Sequence, residues 1–283
     1  MQIQNQLEVS CLVRTSTTEY NFKVIIKKVI KTALTIIFWL GLWHFAYILV
    51  DLDILIPAPT DVFKKLSEFL PDGDFWLSIF NSFKGITLGY LFGVLIGSIF
   101  GIVTAFSSVL NTLFKPFLTA VKTTPVVSFI ILALVWLNKT TVPVFITVLM
   151  VMPVVWANVT NSIVNTDKEL IEMANAYNFG LSKKLKLIFL PSAVPGFVSA
   201  CKTAVGLGWK AGIAAEVLCT PQNSIGINLR NSQVYLETVD LFAWTAVIII
   251  LSLALEKILV TILDFVFKKI MSKGGYFIEN TDK

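Results

Sequence analysis

Long apolar runs alternate with short polar connectors along the chain, at 29–50, 82–107, 117–137, 142–164, 193–218 and 241–266. A helix rises about 1.5 Å per residue, so a run of about twenty residues crosses roughly 30 Å of hydrocarbon. The pattern predicts an all-α, polytopic membrane fold of about six spans over residues 28–267, between polar tails at 1–27 and 268–283. Six spans place both tails on one side. With that topology the tails, the 165–192 loop and the 108–116 turn carry most of the lysine, including Lys23, Lys27, Lys28, Lys31, Lys115, Lys168, Lys183, Lys184, Lys186, Lys268, Lys269 and Lys273. The opposite side carries Lys64, Lys65, Lys139 and Arg230. Basic residues accumulate on the cytoplasmic side, so both termini are expected there and the protein in the cell membrane.

The opposite-side segment 51–76 is acidic, and Pro57-Ala58-Pro59-Thr60-Asp61 predicts a break followed by a helix to Leu70. Val62, Phe63, Leu66, Phe69 and Leu70 give that helix an apolar face, expected at the outer membrane interface.

Composition agrees with a membrane solvent: 55% of the 283 residues are hydrophobic, 14% are charged, and the mean hydropathy is +0.78. The net charge of +5 is explained by the sidedness of the lysines and does not call for nucleic acid. Cys11, Cys201 and Cys219 are odd in number and far apart, which suits packing residues rather than disulfides or a metal site.

Within the second run Gly85, Gly89, Gly93, Gly97 and Gly101 recur every fourth residue, with Ala105 continuing the series. The spacing lays a strip without side chains along one helix face, a packing seam for another helix. Pro116, Pro125, Pro143 and Pro153 lie in or beside the third and fourth runs and are expected to bend helices unless neighbours compensate. Charges inside apolar runs cost at least about 2.5–3.5 kcal/mol each on insertion scales, so they should face protein or water. Lys84, Lys257 and Asp264 lie near span ends and are expected to snorkel. Lys210 and Glu216, with Trp209, are the candidates for a translocation path, a structural ion pair being the competing reading for the charged two.

The 165–192 loop reads as two short amphipathic helices with a turn at 178–180, stopped by Pro191 before the next span. Its sequence resembles the cytoplasmic loop of binding-protein-dependent ABC importer permeases: Glu-Ala-Ala, three residues, Gly, nine residues, Ile, one residue, Leu-Pro. Glu172, Met173 and Ala174 occupy the first three positions, and Ile188, Leu190 and Pro191 stand at the later offsets. Met173 replaces an Ala, and Asn178 stands where the pattern has Gly, with Gly180 two residues on. A turn that requires positive φ accepts Asn better than other residues bearing a side chain. Leu55-Ile56-Pro57-Ala58-Pro59, the Gly208–Val217 segment, Ser224-Ile225-Gly226 and the segments around Tyr235 and Asp240 are similar to the nitrate, sulfonate and taurine permease branch.

The resemblance covers about residues 30–265. It implies a transport subunit in which the loop's first helix, with Glu172, Met173 and Ala174, docks on a cytosolic ATPase around the turn at Asn178 and Gly180. It further implies a homodimer, an extracytoplasmic solute-binding protein as partner, and a small solute, such as a sulfonate, taurine or nitrate, with a vitamin-precursor pyrimidine as the alternative. No Gly-x-x-x-x-Gly-Lys-Ser/Thr phosphate cradle occurs, so ATP is expected on the partner, with no cofactor or metal on this chain. The single histidine, His44, and the lack of a readable nucleophile set argue against an intramembrane enzyme. An ion-driven carrier, and a scaffold built on the glycine seam, remain the competing classes.

Overall fold

The computed structural model describes Lys27 and residues 30–273; the predicted N-terminal tail with Cys11, and the end of the C-terminal tail, lie outside them. The described residues form helices joined by turns, without a strand. In chain order they are α1 (Ile30–Val50), α2 (Pro59–Phe69), α3 (Gly73–Phe106), α4 (Ser108–Thr123), α5 (Val126–Ala133), α6 (Thr141–Val164), α7 (Lys168–Ala176), α8 (Leu181–Lys184), a π-helical turn (Leu185–Phe189), α9 (Leu190–Cys219), α10 (Ile225–Val234) and α11 (Thr238–Lys273). The described residues divide between Lys65 and Leu66 into two compact units. In the first, α1 is an apolar helix of 21 residues, long enough to span a membrane.

The second unit is built on α3, α6 and α9. Gly89, Gly93, Gly97 and Gly101 of α3 are all buried, and α6 lies on the strip they form. A Cβ at Gly89 would stand 2.7 Å from Cβ of Thr147, one at Gly93 2.7 Å from Cβ of Val151, and one at Gly101 2.8 Å from Cβ of Val159. Gly85, at the end of the strip, has ordinary clearance of 3.8 Å from Val144. α9 contributes its own pair: a Cβ at Gly208 would meet Val151 at 2.9 Å, and one at Gly212 would meet Ile86 at 2.6 Å. In lipid, moving an apolar side chain from solvent to neighbour gains little, so this close backbone approach is a main source of association.

Hydrogen bonds supplement the seam where it nears the α6–α7 loop. Trp156 Nε1 donates to Thr104 Oγ1 at 2.8 Å, the Thr104 and Thr160 hydroxyls lie 3.0 Å apart, and Thr160 Oγ1 donates to the Gly101 carbonyl at 3.0 Å. Interhelical bonds in membranes average about 0.6 kcal/mol, so they align the pair more than they hold it.

Two expectations are corrected. The run at 117–137 is not one straight span: α4 and α5 form a pair bent by 101°. Pro125 supplies no N–H and forces Thr124 into extended backbone (φ −77°, ψ 134°), so the helix restarts at Val126. Pro153, by contrast, sits within an unbroken α6. Asp264 does not snorkel alone: Lys202 Nζ of α9 donates to its Oδ1 at 2.6 Å, and the pair offsets part of the cost of two charges among apolar helices. The last helix, α11, continues to Lys273.

Candidate functional site

The α7–α8 elbow is shaped by local chemistry. Asp167 caps α7, its carboxylate accepting from Glu169 N at 2.9 Å, and Glu169 places negative charge at the helix's positive end. At the other end Phe179 N donates to the Ala174 carbonyl at 2.8 Å and Asn178 N to the Asn175 carbonyl at 3.0 Å. These two bonds form a Schellman stop, which requires a left-handed residue after the cap, and Asn178 supplies it with φ 53°. Gly180 is stereochemically ordinary, with φ −65° and ψ 159°, and no atom lies near the position of a Cβ there. Lys184 Nζ donates to Asn175 Oδ1 at 2.6 Å, and Lys183 Nζ stands 5.8 Å from the centroid of the Phe179 ring, so α8 braces the turn.

Ala174 is fully buried, while Glu172 and Met173 are exposed. Met173 belongs to an apolar stripe with Leu170 and Tyr177, spaced three and four residues apart on α7 and all exposed. Leu170 and Tyr177 lie outside the motif positions, although their spacing in the loop is visible in the sequence.

Pro191 does not stop the chain before the span. Leu181–Cys219 is one continuous helical rod of 39 residues. The π-helical turn makes this possible: Leu190 N reaches back five residues to the Leu185 carbonyl, and Pro191, which has no N–H to place, falls in the first turn of α9. At about 1.5 Å per residue the rod is roughly 58 Å long, more than the 40–45 Å of a bilayer with its headgroups.

At the rod's far end Glu216 is buried, 4% exposed, and is a structural node. It accepts from Ser82 Oγ of α3 at 2.7 Å and from the Gly226 N–H of α10 at 3.2 Å. Ser82 Oγ accepts in turn from Ile225 N at 2.9 Å, and Ser224 caps α10 through Ile227 N. A side chain at Gly226 would run into Cβ of Glu216, so α10 approaches α9 only with glycine there. The chain reverses after α9 through Thr220 in the left-handed region, at φ 50°.

Of the three residues offered for a path, Glu216 is thus enclosed by protein. Trp209 is 1% exposed in the core, its indole N–H finding no acceptor. Lys210 alone is exposed, on an α9 face with Thr203, Leu207 and Ala214. Nothing local in the sequence joins Ser82 or Gly226 to Glu216, although Ser224-Ile225-Gly226 stands out there. Among the described residues no cluster of His, Cys, Asp or Glu is arranged to hold a metal ion, and Cys201 and Cys219 are buried thiols.

Residues 93–271 match the family described as "Binding-protein-dependent transport system inner membrane component". Among the relatives, the putative aliphatic sulfonates transport permease protein of Bacillus subtilis is 23% identical over 190 residues, covering 67% of this chain and 68% of its own. The taurine transport system permease protein of Escherichia coli is 22% identical over 221 residues, covering 76% and 80%. The bicarbonate transport system permease protein of Synechococcus elongatus is 25% identical over 185 residues, covering 60% and 66%.

Proposed function

We propose, from the premise that this chain belongs to the binding-protein-dependent transport system inner membrane components, that it is the permease half of an ABC importer whose power stroke enters through α7. The observation that carries this reading is mechanical. A capped helix with an exposed apolar stripe is joined by a braced turn to a rod that runs to a hydrogen-bonded node at the far end. A separate cytosolic ATPase grips α7 through Leu170, Met173 and Tyr177, with Glu172 as the charged contact. Ala174 packs beneath the grip, and Asn178 sets its angle. Closure of two ATPase subunits on ATP moves two such elbows of a homodimer, and the rods convert that movement into alternating access.

The solute is a small anion of the sulfonate, taurine, nitrate or bicarbonate kind, delivered by an extracytoplasmic binding protein. The names of three relatives support this class, as does Lys210, a cation on an exposed face of α9 with no other charge on that face. A vitamin-precursor pyrimidine is the alternative cargo. Both termini lie in the cytoplasm by the lysine distribution.

Co-purification tests the grip. Met173→Asp and Glu172→Lys, both on exposed positions, are expected to lower the ATPase recovered with the tagged permease at least tenfold while leaving permease yield unchanged. Undiminished recovery with both variants would overturn the docking role.

A further inference from the structure

The rod Leu181–Cys219 is continuous, but it is not α-helical throughout. At Leu185–Phe189 it holds one residue more than α-helical spacing needs, and Leu190 N donates to the Leu185 carbonyl, five residues back. The two sides of this turn are fixed to different parts of the molecule. Before it, Lys184 Nζ donates to Asn175 Oδ1 at 2.6 Å and Lys183 Nζ stands 5.8 Å from the centroid of the Phe179 ring, so this side belongs to the elbow. At its other end, Ile188 is 4% exposed and Phe189 meets Phe106 of α3 edge to face, with centroids 5.1 Å apart, so this side belongs to the bundle.

An α-helix turns about 100° per residue, so one extra residue resets by that angle how everything before it faces everything after it. We propose that the π turn sets the angular register between elbow and rod, and that transmission, rather than the grip, depends on its extra residue. The inference rests on the docking role of α7.

Passing a proline accounts for only part of the turn. Pro116, Pro153 and Pro195 lie inside α4, α6 and α9 with α-helix on both sides of each. A π turn is rare in general, and where one interrupts an α-helix it is frequently at a functional site. The two sets of contacts supply the remaining reason. With Ile188 and Phe189 held against the core, an unbroken α-helix would carry Lys183 and Lys184 about 100° away from Phe179 and Asn175. The elbow would keep its Asp167 cap and its exposed stripe, because both are internal to α7 and its first turn. It would lose its brace, and a push on α7 would be taken up at the turn instead of moving α9.

Full-length permease with its co-purified ATPase, reconstituted and spin-labelled at Leu218→Cys, tests the assignment through the ATP-driven change in label-to-label distance. Deletion of Leu185, an exposed residue, closes the π turn into α-helix. The deletion is expected to leave permease yield and recovered ATPase unchanged, and to shrink the distance change at least about threefold, because the elbow is then turned by about 100° from its brace. Leu185→Ala and Pro191→Ala keep the length, and both are expected to move as the unaltered protein does. An undiminished distance change in the deletion would overturn the proposal. So would an equal loss in Leu185→Ala, which would assign the effect to the side chain, or in Pro191→Ala, which would assign it to the proline. Lowered yield of the deletion would overturn it by giving the turn a role in folding, and lowered ATPase recovery by placing the turn in the grip. An unaltered permease that recovers no ATPase would instead sink the docking role of α7, and this inference with it.

Discussion

Asn178 shows how much a single residue settles. The family pattern has glycine there because a Schellman stop places its next residue in the left-handed region, which costs a residue with a Cβ about 1–2 kcal/mol. Asparagine meets much of that cost with its short polar side chain and holds φ 53°. Asn178→Gly is therefore expected to preserve coupling, while Asn178→Val should destabilise the elbow by about 1–2 kcal/mol. ATP-driven uptake at matched expression checks this, with near-normal rates for the first and a several-fold loss for the second. Equal rates would mean that the angle at residue 178 is unimportant. This turn was legible in the sequence because the motif's spacing marks the position and positive φ has few tolerant residues. Gly180 misled for the opposite reason: a glycine in a turn suggests unusual backbone, and here the backbone is ordinary. The partners of Glu216 were not legible, because Ser82 lies 134 residues away and joins it only when α3 and α9 cross.

At the scale of the element, the glycine strip was readable because a period of four on a helix dictates one face, whatever packs against it. Which helix packs there was not readable, since the seam's other side on α6 is made of Thr147, Val151 and Val159, ordinary residues of an apolar run. The clearances separate the positions. Gly93→Leu must push Val151 and is expected to destabilise the bundle by about 1–3 kcal/mol, whereas Gly85→Ala enters ordinary contact and should be silent. Monodispersity in size-exclusion chromatography and the thermal aggregation midpoint check both; a stable Gly93→Leu protein would remove the seam from the account. Hydropathy located the spans but not their breaks. One proline, Pro125, bends the pair α4 and α5 by 101°, while Pro153 leaves α6 unbroken and Pro191 is passed by a π turn. The difference lies in how neighbouring backbone re-satisfies the missing bond, which apolar patterning does not record.

At the scale of the second unit, α7 is joined by the turn at Asn178 to the continuous helix Leu181–Cys219, whose far end is anchored through Glu216. Lys202 and Asp264 tie the middle of that helical lever to α11, so α9 and α11 should move together. α10 is tied by Glu216 to the lever's tip, so movement at the elbow should arrive at the far face as displacement of α9, α10 and the start of α3 as a group. Each link rests on packed or hydrogen-bonded contacts between elements that shift as rigid bodies. In the proposed function this displacement is driven from outside the chain, by a nucleotide-hydrolysing partner acting at α7. Spin labels at Leu218→Cys, an exposed site near the lever's tip, report it through the label-to-label distance in a reconstituted homodimer. The distance distribution is expected to shift when the ATPase partner and ATP are both present, and Glu172→Lys is expected to abolish the shift. A distance that changes without the partner, or stays fixed when partner and ATP are supplied, would overturn an externally driven α7.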